Sequence, residues 1–410
     1  MAPTRFLGDW EVTPAMLHLR AIFAAVFAVL FGAGAVLAVV VDVAVLRVDQ
    51  TLPLPISRLD IPPEDLGFAG AMLGNEDNQT TGAFTGTDYT LKTLAVPPEG
   101  AQAAFDALLA EGITLFVVMA DGATLNALAD RAGPGVVVLN ATARDEALRN
   151  GDCRANVLHI APSRAMLSDA LIQFLMWKQW PRLFLIYGSH PADVALADSY
   201  RASARKFGAQ IVEEREFADT GGSRRTDTGH VLVQRQIPVF TQRAAAHDVV
   251  VAADESDVFA AYLPFHTWDP RPVAGSAGLR PVTWNAALEA WGATQFQRRF
   301  ERLTGRQMRE EDYQVWLALR VIGEAVTRTQ AADPASLRAY ALSSAFELAA
   351  FKGQKLTFRP WNGQLRQPIL LSDGRTTVSV SPQDGYLHQV SPLDTLGTDA
   401  PETTCTGFGE

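Results

Sequence analysis

The sequence predicts an α/β protein of two doubly wound parallel-sheet lobes, joined by three crossing segments with a ligand cleft between them. Three observations predict it. Short runs of Val, Ile and Leu recur that are apolar on every residue rather than on alternate ones, as in strands covered on both faces. Segments with helical period separate these runs, the alternation that builds parallel sheets. The alternation also runs twice, before and after Pro162, and then gives way to a stretch rich in Pro, Gly and Trp at 264–284.

Residues 40–48 (VVDVAVLRV) read as the first strand, followed by a glycine-containing helix over 65–79 that extends towards Gly82. A strand at 87–96, a helix at 102–111, a strand at 114–119, a helix at 123–132 and strands at 135–139 and 157–160 complete the first array. The second opens with an amphipathic helix at 166–179, apolar at Leu167, Leu171, Phe174 and Leu175. Strand 182–187, helix 193–207, strand 210–217 and strand 247–252 follow. Helices are expected at 285–304, 310–329 and 334–345. The end, 355–390, alternates and carries Asn362-Gly363 and Asp373-Gly374, both hairpin signals. Residues 219–229 read as a solvated loop. The chain then crosses between lobes near 162, near 272–281 and near 358–368. Lobe 1 comprises 39–160 plus about 282–357, and lobe 2 comprises 161–281 plus about 358–410.

At 410 residues the chain has room for two or three domains. Its 48% hydrophobic and 20% charged residues are those of a globular protein. A net charge of −10 argues against nucleic acid as a partner. The apolar run 21–41, behind Arg20, admits two readings. One is a signal peptide cleaved near Ala38, with the core at 21–31 and helix-breaking Gly32 and Gly34. The other is a retained inner-membrane anchor. Both put the bulk of the chain in the periplasm. The polar stretch before Met16 leaves the start codon open between Met1 and Met16. Removing residues 1–38 takes away Arg5, Arg20, Asp9 and Glu11, so the net charge stays −10. In an exported chain Cys153 and Cys405 most simply form one disulfide, with two unpaired thiols as the alternative.

The sequence has no GxSxG elbow, HExxH pair, phosphate loop or dinucleotide fingerprint, and its histidines show no metal-ligand spacing. It reads as a binder rather than an enzyme, without a cofactor. Four strand ends carry polar residues where a doubly wound sheet holds its ligand. They are Asp121 and Gly122; Asn140, Ala141 and Thr142; Ser189 and His190; and Asp254 and Glu255. Helix starts nearby suit an anionic group, and Asp254 and Glu255 suit an ammonium, a hydroxyl or a cation. The local alternative is that Asp121 and Asp254 cap the next helix. Asp254, Glu255 and Asp257, adjacent in sequence, also form a candidate hard-cation site. Trp268, on the Pro-rich crossing segment, is a candidate stacking residue, with packing as the alternative.

Residues 67–82 (GFAGAMLGNEDNQTTG), 113–125 (ITLFVVMADGATL), 135–144 (GVVVLNATAR) and 351–368 (FKGQKLTFRPWNGQLRQP) resemble the first helix, ligand loops and hinge segment of type I periplasmic substrate-binding proteins. These are the branched-chain amino acid and amide receptors of ABC importers. Residues 252–279, 291–300 and 358–371, with the tail motif LDTLG…PE…C, are similar to a narrower group. Its members are ABC substrate-binding proteins encoded with PQQ-dependent alcohol dehydrogenase systems. The resemblance implies a periplasmic-binding-protein type I fold, a small-molecule ligand, an ABC permease as partner, a monomer and a link to the dehydrogenase. It also implies an alternative role as an accessory or sensor that binds a partner protein. Two departures bear on the ligand. Asp121-Gly122-Ala123 replaces the hydroxyl residues that hold an amino acid's carboxylate, and Gly188-Ser189-His190-Pro191 replaces a loop that often carries an aromatic residue. A neutral or cationic ligand therefore fits better than leucine.

Overall fold

The computed structural model describes residues 38–50, 55, 57–220 and 232–408. The first lobe holds β1 (Val39–Val48), α1 (Phe68–Thr85), β2 (Thr87–Val96), α2 (Ala101–Ala110), β3 (Leu115–Met119), α3 (Gly122–Ala132), β4 (Val137–Asn140) and β5 (Val157–His159). Its five strands are all parallel, in the order β2-β1-β3-β4-β5. Successive side chains of a strand point to opposite faces, and here both faces are dry. Val41, Val43 and Val45 enter one core, while Ala44, Leu46 and Val48 enter the other. That double cover is why these strands read as unbroken apolar runs.

The second lobe repeats the plan with α4 (Arg164–Trp177), β6 (Arg182–Gly188), α5 (Pro191–Phe207), β7 (Gln210–Phe217), α6 (Val233–Thr241), β8 (Val249–Ala253) and β9 (Val273–Gly275). Its parallel order is β7-β6-β8-β9. Leu183 and Leu185 pack with Leu171 and Leu175 of α4, and Phe184 and Ile186 pack on the opposite face with Ile237 of α6.

The chain then returns through β10 (Arg280–Val282) to α7 (Ala293–Thr304), α8 (Glu310–Thr329) and α9 (Pro334–Leu342), which close the first lobe; α1 packs on α8. Strands β11 (Leu348–Ala349), β12 (Lys355–Phe358) and β13 (Leu365–Arg366) form a small antiparallel sheet. Strands β14 (Ile369–Ser372) and β15 (Thr377–Ser381) form another with β10. Val282, Trp284, Leu365 and Leu370 belong to the first lobe's core, whereas Leu371 belongs to the second's. Crossing segments thus run at 160–163, around β10, and between β13 and β14.

Both hairpin signals mark turns, between β12 and β13 and between β14 and β15. The expected helix at 285–304 starts only at Ala293. Asn285 Oδ1 accepts from the Ala287 N–H at 2.9 Å, holding a turn, and Trp291 (φ 55°) and Gly292 (φ 83°) are left-handed. Helix α6 was not expected; it is short and contains Pro238. The signal peptide or anchor, both start codons and most of the 219–229 loop lie outside the described residues. The last residues of the apolar run, Val39 to Val41, are the start of β1. Among the described residues no helix is long and apolar enough to cross a membrane. Cys153 and Cys405 are joined in a disulfide.

Candidate ligand site

The carboxyl ends of the central strands of both sheets lead into the loops singled out above. After β3, Asp121 caps α3: Oδ1 accepts from the Thr124 N–H at 2.9 Å. Its Oδ2 accepts from Gln50 Nε2 at 2.8 Å and from the Thr124 hydroxyl at 3.0 Å. A Cβ on Gly122 would meet Asp145 Oδ2 at 2.7 Å, so the loops after β3 and β4 touch there. Asn140 is fully buried and directed inward. Its amide donates to Ala143 O at 2.8 Å and lies 3.0 Å from His159 Nδ1, while Oδ1 accepts from the N–H groups of Thr142 and Ala143. Asn140 thus shapes the loop rather than presenting its side chain. Ala141 is buried, and the half-buried Thr142 donates its hydroxyl to Ala120 O at 3.1 Å.

Arg149, buried beneath this loop, donates to Ala143 O, Asp145 O and Ala161 O, and burial pushes its guanidinium down to about 10. His159 is buried and held well below its usual value, first by desolvation and then by Arg149. Its hydrogen bonds fit a neutral ring that accepts at Nδ1 and donates from Nε2 to Leu148 O.

In the second lobe, Ser189 Oγ accepts from the Asp219 N–H at 3.1 Å, and His190 Nε2 lies 2.9 Å from Asp219 Oδ2. Asp254 is 5% exposed. Its carboxylate accepts from the N–H groups of Val258, Phe259 and Ala260 at 2.9, 2.7 and 2.6 Å, folding the loop after β8 around itself. Burial raises its pKa and those three donors oppose the rise. Trp268 stands apart from the strand-end loops: its backbone N–H donates to Thr241 Oγ1 at the end of α6, and its ring is half exposed.

Arg164 is where the lobes meet. Arg164, the first residue of α4, donates to both Glu255 oxygens through Nε and to Oε2 through Nη2 at 2.7 Å. Its Nη1 donates to Asp145 Oδ1 at 2.8 Å. One guanidinium thus joins the loop after β4 of lobe 1 to the loop after β8 of lobe 2. Burial pulls Arg164 down, but the two carboxylates outweigh it and hold the group above its ordinary value. Beside this bridge, Glu146 accepts from the Ala165 N–H at 2.6 Å. Arg144 lies 3.8 Å from Glu310, whose carboxylate holds the Thr283 N–H and hydroxyl at the second crossing.

Sequence reasoning missed Asp145, Arg164 and Asp193, whose Oδ1 accepts from the Ser256 N–H and links the loops after β6 and β8. All three lie within six residues of a strand's carboxyl end or a crossing, a criterion that would have found them. Among the described residues no group of three or more His, Cys, Asp or Glu is arranged to hold a metal ion. Two surface concavities, of about 490 and 480 Å³, lie away from the cleft, one beside Lys206 and His388 and the other beside Glu324 and Lys355.

This is the fold of type I periplasmic binding proteins. A sequence profile of the periplasmic binding protein family matches residues 93–236. No curated protein matches the chain. Among solved structures it is similar to the leucine-, isoleucine-, valine-, threonine- and alanine-binding protein from Brucella ovis in a closed conformation. That match has 14% identity and a TM-score of 0.64, over 81% of this chain and 88% of that one. A branched-chain amino acid ABC transporter periplasmic ligand-binding protein from Burkholderia xenovorans matches at 14% identity and a TM-score of 0.65, over 81% and 89%. A solute-binding protein of an ABC transporter from R. palustris, in complex with benzoate, matches at 13% and 0.62, over 90% and 99%. At these identities the likeness shows the fold.

Proposed function

We propose that this chain is a periplasmic solute-binding protein. It captures a small, neutral or cationic polar molecule between its lobes and delivers it to an ABC permease, without turnover. The observation that carries the reading is the Arg164 bridge from Asp145 to Glu255, which joins strand-end loops of the two lobes where doubly wound sheets hold ligand. The candidate site comprises Thr142, Ser189, His190, Glu255, Asp145 and Arg164. Asp121, Asn140 and Asp254 shape its loops. The long motifs at 252–279 and 358–371 support a place beside PQQ-dependent alcohol oxidation. Titration calorimetry tests the ligand class: amines, amides and alcohols are expected to include a tight binder, and tight binding of leucine would overturn the neutral-or-cationic assignment.

One observation favours a second reading, an accessory or sensor that binds a partner protein. Phe265 is fully exposed at φ 70°, with Trp268 and Val239 also exposed on the same lobe.

A further inference from the structure

The C-terminal tail touches both lobes in turn. At 394–397 it is fastened to lobe 2. The Gly397 N–H donates to Asp169 Oδ2 of α4 at 2.8 Å, and Lys206 of α5 donates to Gly397 O at 2.9 Å while pairing with the same aspartate. The preceding turn grips the crossing hairpin. Buried Asp394 accepts from Arg359 and Arg366, which flank the Trp361 ring. Six residues beyond Gly397 the tail reaches lobe 1. There Thr403 Oγ1 donates to Arg149 O at 3.3 Å and the Thr404 N–H donates to Asn150 Oδ1 at 3.4 Å. Hydrogen bonds of that length are weak. The strong link is covalent: Cys405 is joined to Cys153.

We infer that residues 394–405 are a strap that runs beside the crossing segments and limits how far the two lobes can open. Opening moves the Cys153 loop away from α4, and the strap must span that gap. The eight residues from Gly397 to the covalent anchor at Cys405 reach at most about 26–29 Å when fully extended. Without the disulfide, the strap's lobe-1 end is held by those two long hydrogen bonds, by a third from the Gly407 N–H to Cys153 Sγ at 3.4 Å, and by Phe408, which packs against the lobe-1 core under the Arg338 guanidinium. It would then release under the same motion. The strap thereby narrows the open ensemble and lowers the cost of closing on a ligand. This role rests on the reading of the lobes as hinged.

The test uses the full chain without ligand. Spin labels are carried by noncanonical residues at Gln102 on α2 and Glu216 on β7, so the native cysteines stay untouched. Pulsed electron resonance gives the interlobe distance distribution. Two variants are compared with the parent: Cys405→Ser, and a four-residue Gly-Ser insertion between Glu402 and Thr403 that keeps the disulfide but adds up to about 13 Å of slack. Both are expected to broaden the distribution towards longer distances, the insertion by no more than its added length. If the insertion leaves the distribution unchanged, the strap does not limit opening and the inference is overturned, whether or not a solute binds. If the distribution broadens in a protein that binds no solute, the strap stands and the transport reading falls.

Discussion

Lys352 is 2% exposed, and the acceptors of its ammonium, Gln367 Oε1 at 3.1 Å and Pro368 O at 2.9 Å, are both neutral. Gln367 in turn donates to Ile160 O, so Lys352 ties lobe 1 to two crossing segments. Burial pushes its pKa down from 10.5 to about 7, with Glu310 partly opposing. The folded value lies below the unfolded one, so between pH 7 and 10.5 the folded chain holds fewer protons. Stability therefore rises with pH across that window, by about 1.4 kcal/mol per unit and by about 4–5 kcal/mol in all. Below pH 7 the burial penalty is present in full. Lys352→Met removes the titrating group at similar volume and leaves two acceptors without this donor, a loss of about 1–3 kcal/mol each at most. Urea denaturation of parent and variant from pH 6 to 9.5 reads the difference directly. The parent's advantage should grow by about 1.4 kcal/mol per unit above pH 7. A difference that does not change with pH refutes the reasoning.

His159 is neutral in the fold and protonates near 6.5 when unfolded. Stability should therefore fall as pH drops below 6.5, by at most about 1.4 kcal/mol per unit. His159→Gln should lose that slope in a melting series from pH 7.5 to 5. Asp254→Ala leaves three N–H groups without their acceptor and should cost about 3 kcal/mol or more in chemical denaturation. Arg164→Gln leaves Asp145 and Glu255 without their shared cation. With the guanidinium largely buried and the carboxylates partly exposed, the loss should be about 1–3 kcal/mol. The variant should also show longer interlobe distances.

The sheets were legible because both faces are buried, which writes continuous Val and Leu runs into β1, β3, β6 and β8. Their flanking helices followed from their apolar period. Helix α6 was not legible, because nine residues containing a Pro carry too little pattern. The false start at 285 has the opposite cause: the apolar spacing was real, but Asn285 and Trp291 hold local turns that override it. At the site, the right loops were visible from strand ends, yet the roles within them depended on contacts far away in sequence. Asp121 meets Gln50, and Arg164 meets Glu255 across 91 residues. Nothing local distinguishes an acid that folds its own loop, such as Asp254, from one that holds the guanidinium bridging the lobes, such as Glu255.

The most direct test of solute capture is a thermal-shift screen of the purified protein. The panel spans amino acids, amides, alcohols, aldehydes, short acids, PQQ and calcium or lanthanide salts. A ligand at 100 times its dissociation constant adds about 2.7 kcal/mol to stability. The account predicts a clear rise in melting temperature with a neutral or cationic polar solute, lost in Arg164→Gln. No shift with any member of the panel would contradict it and point to the exposed Phe265 and Trp268 as a surface for a protein partner.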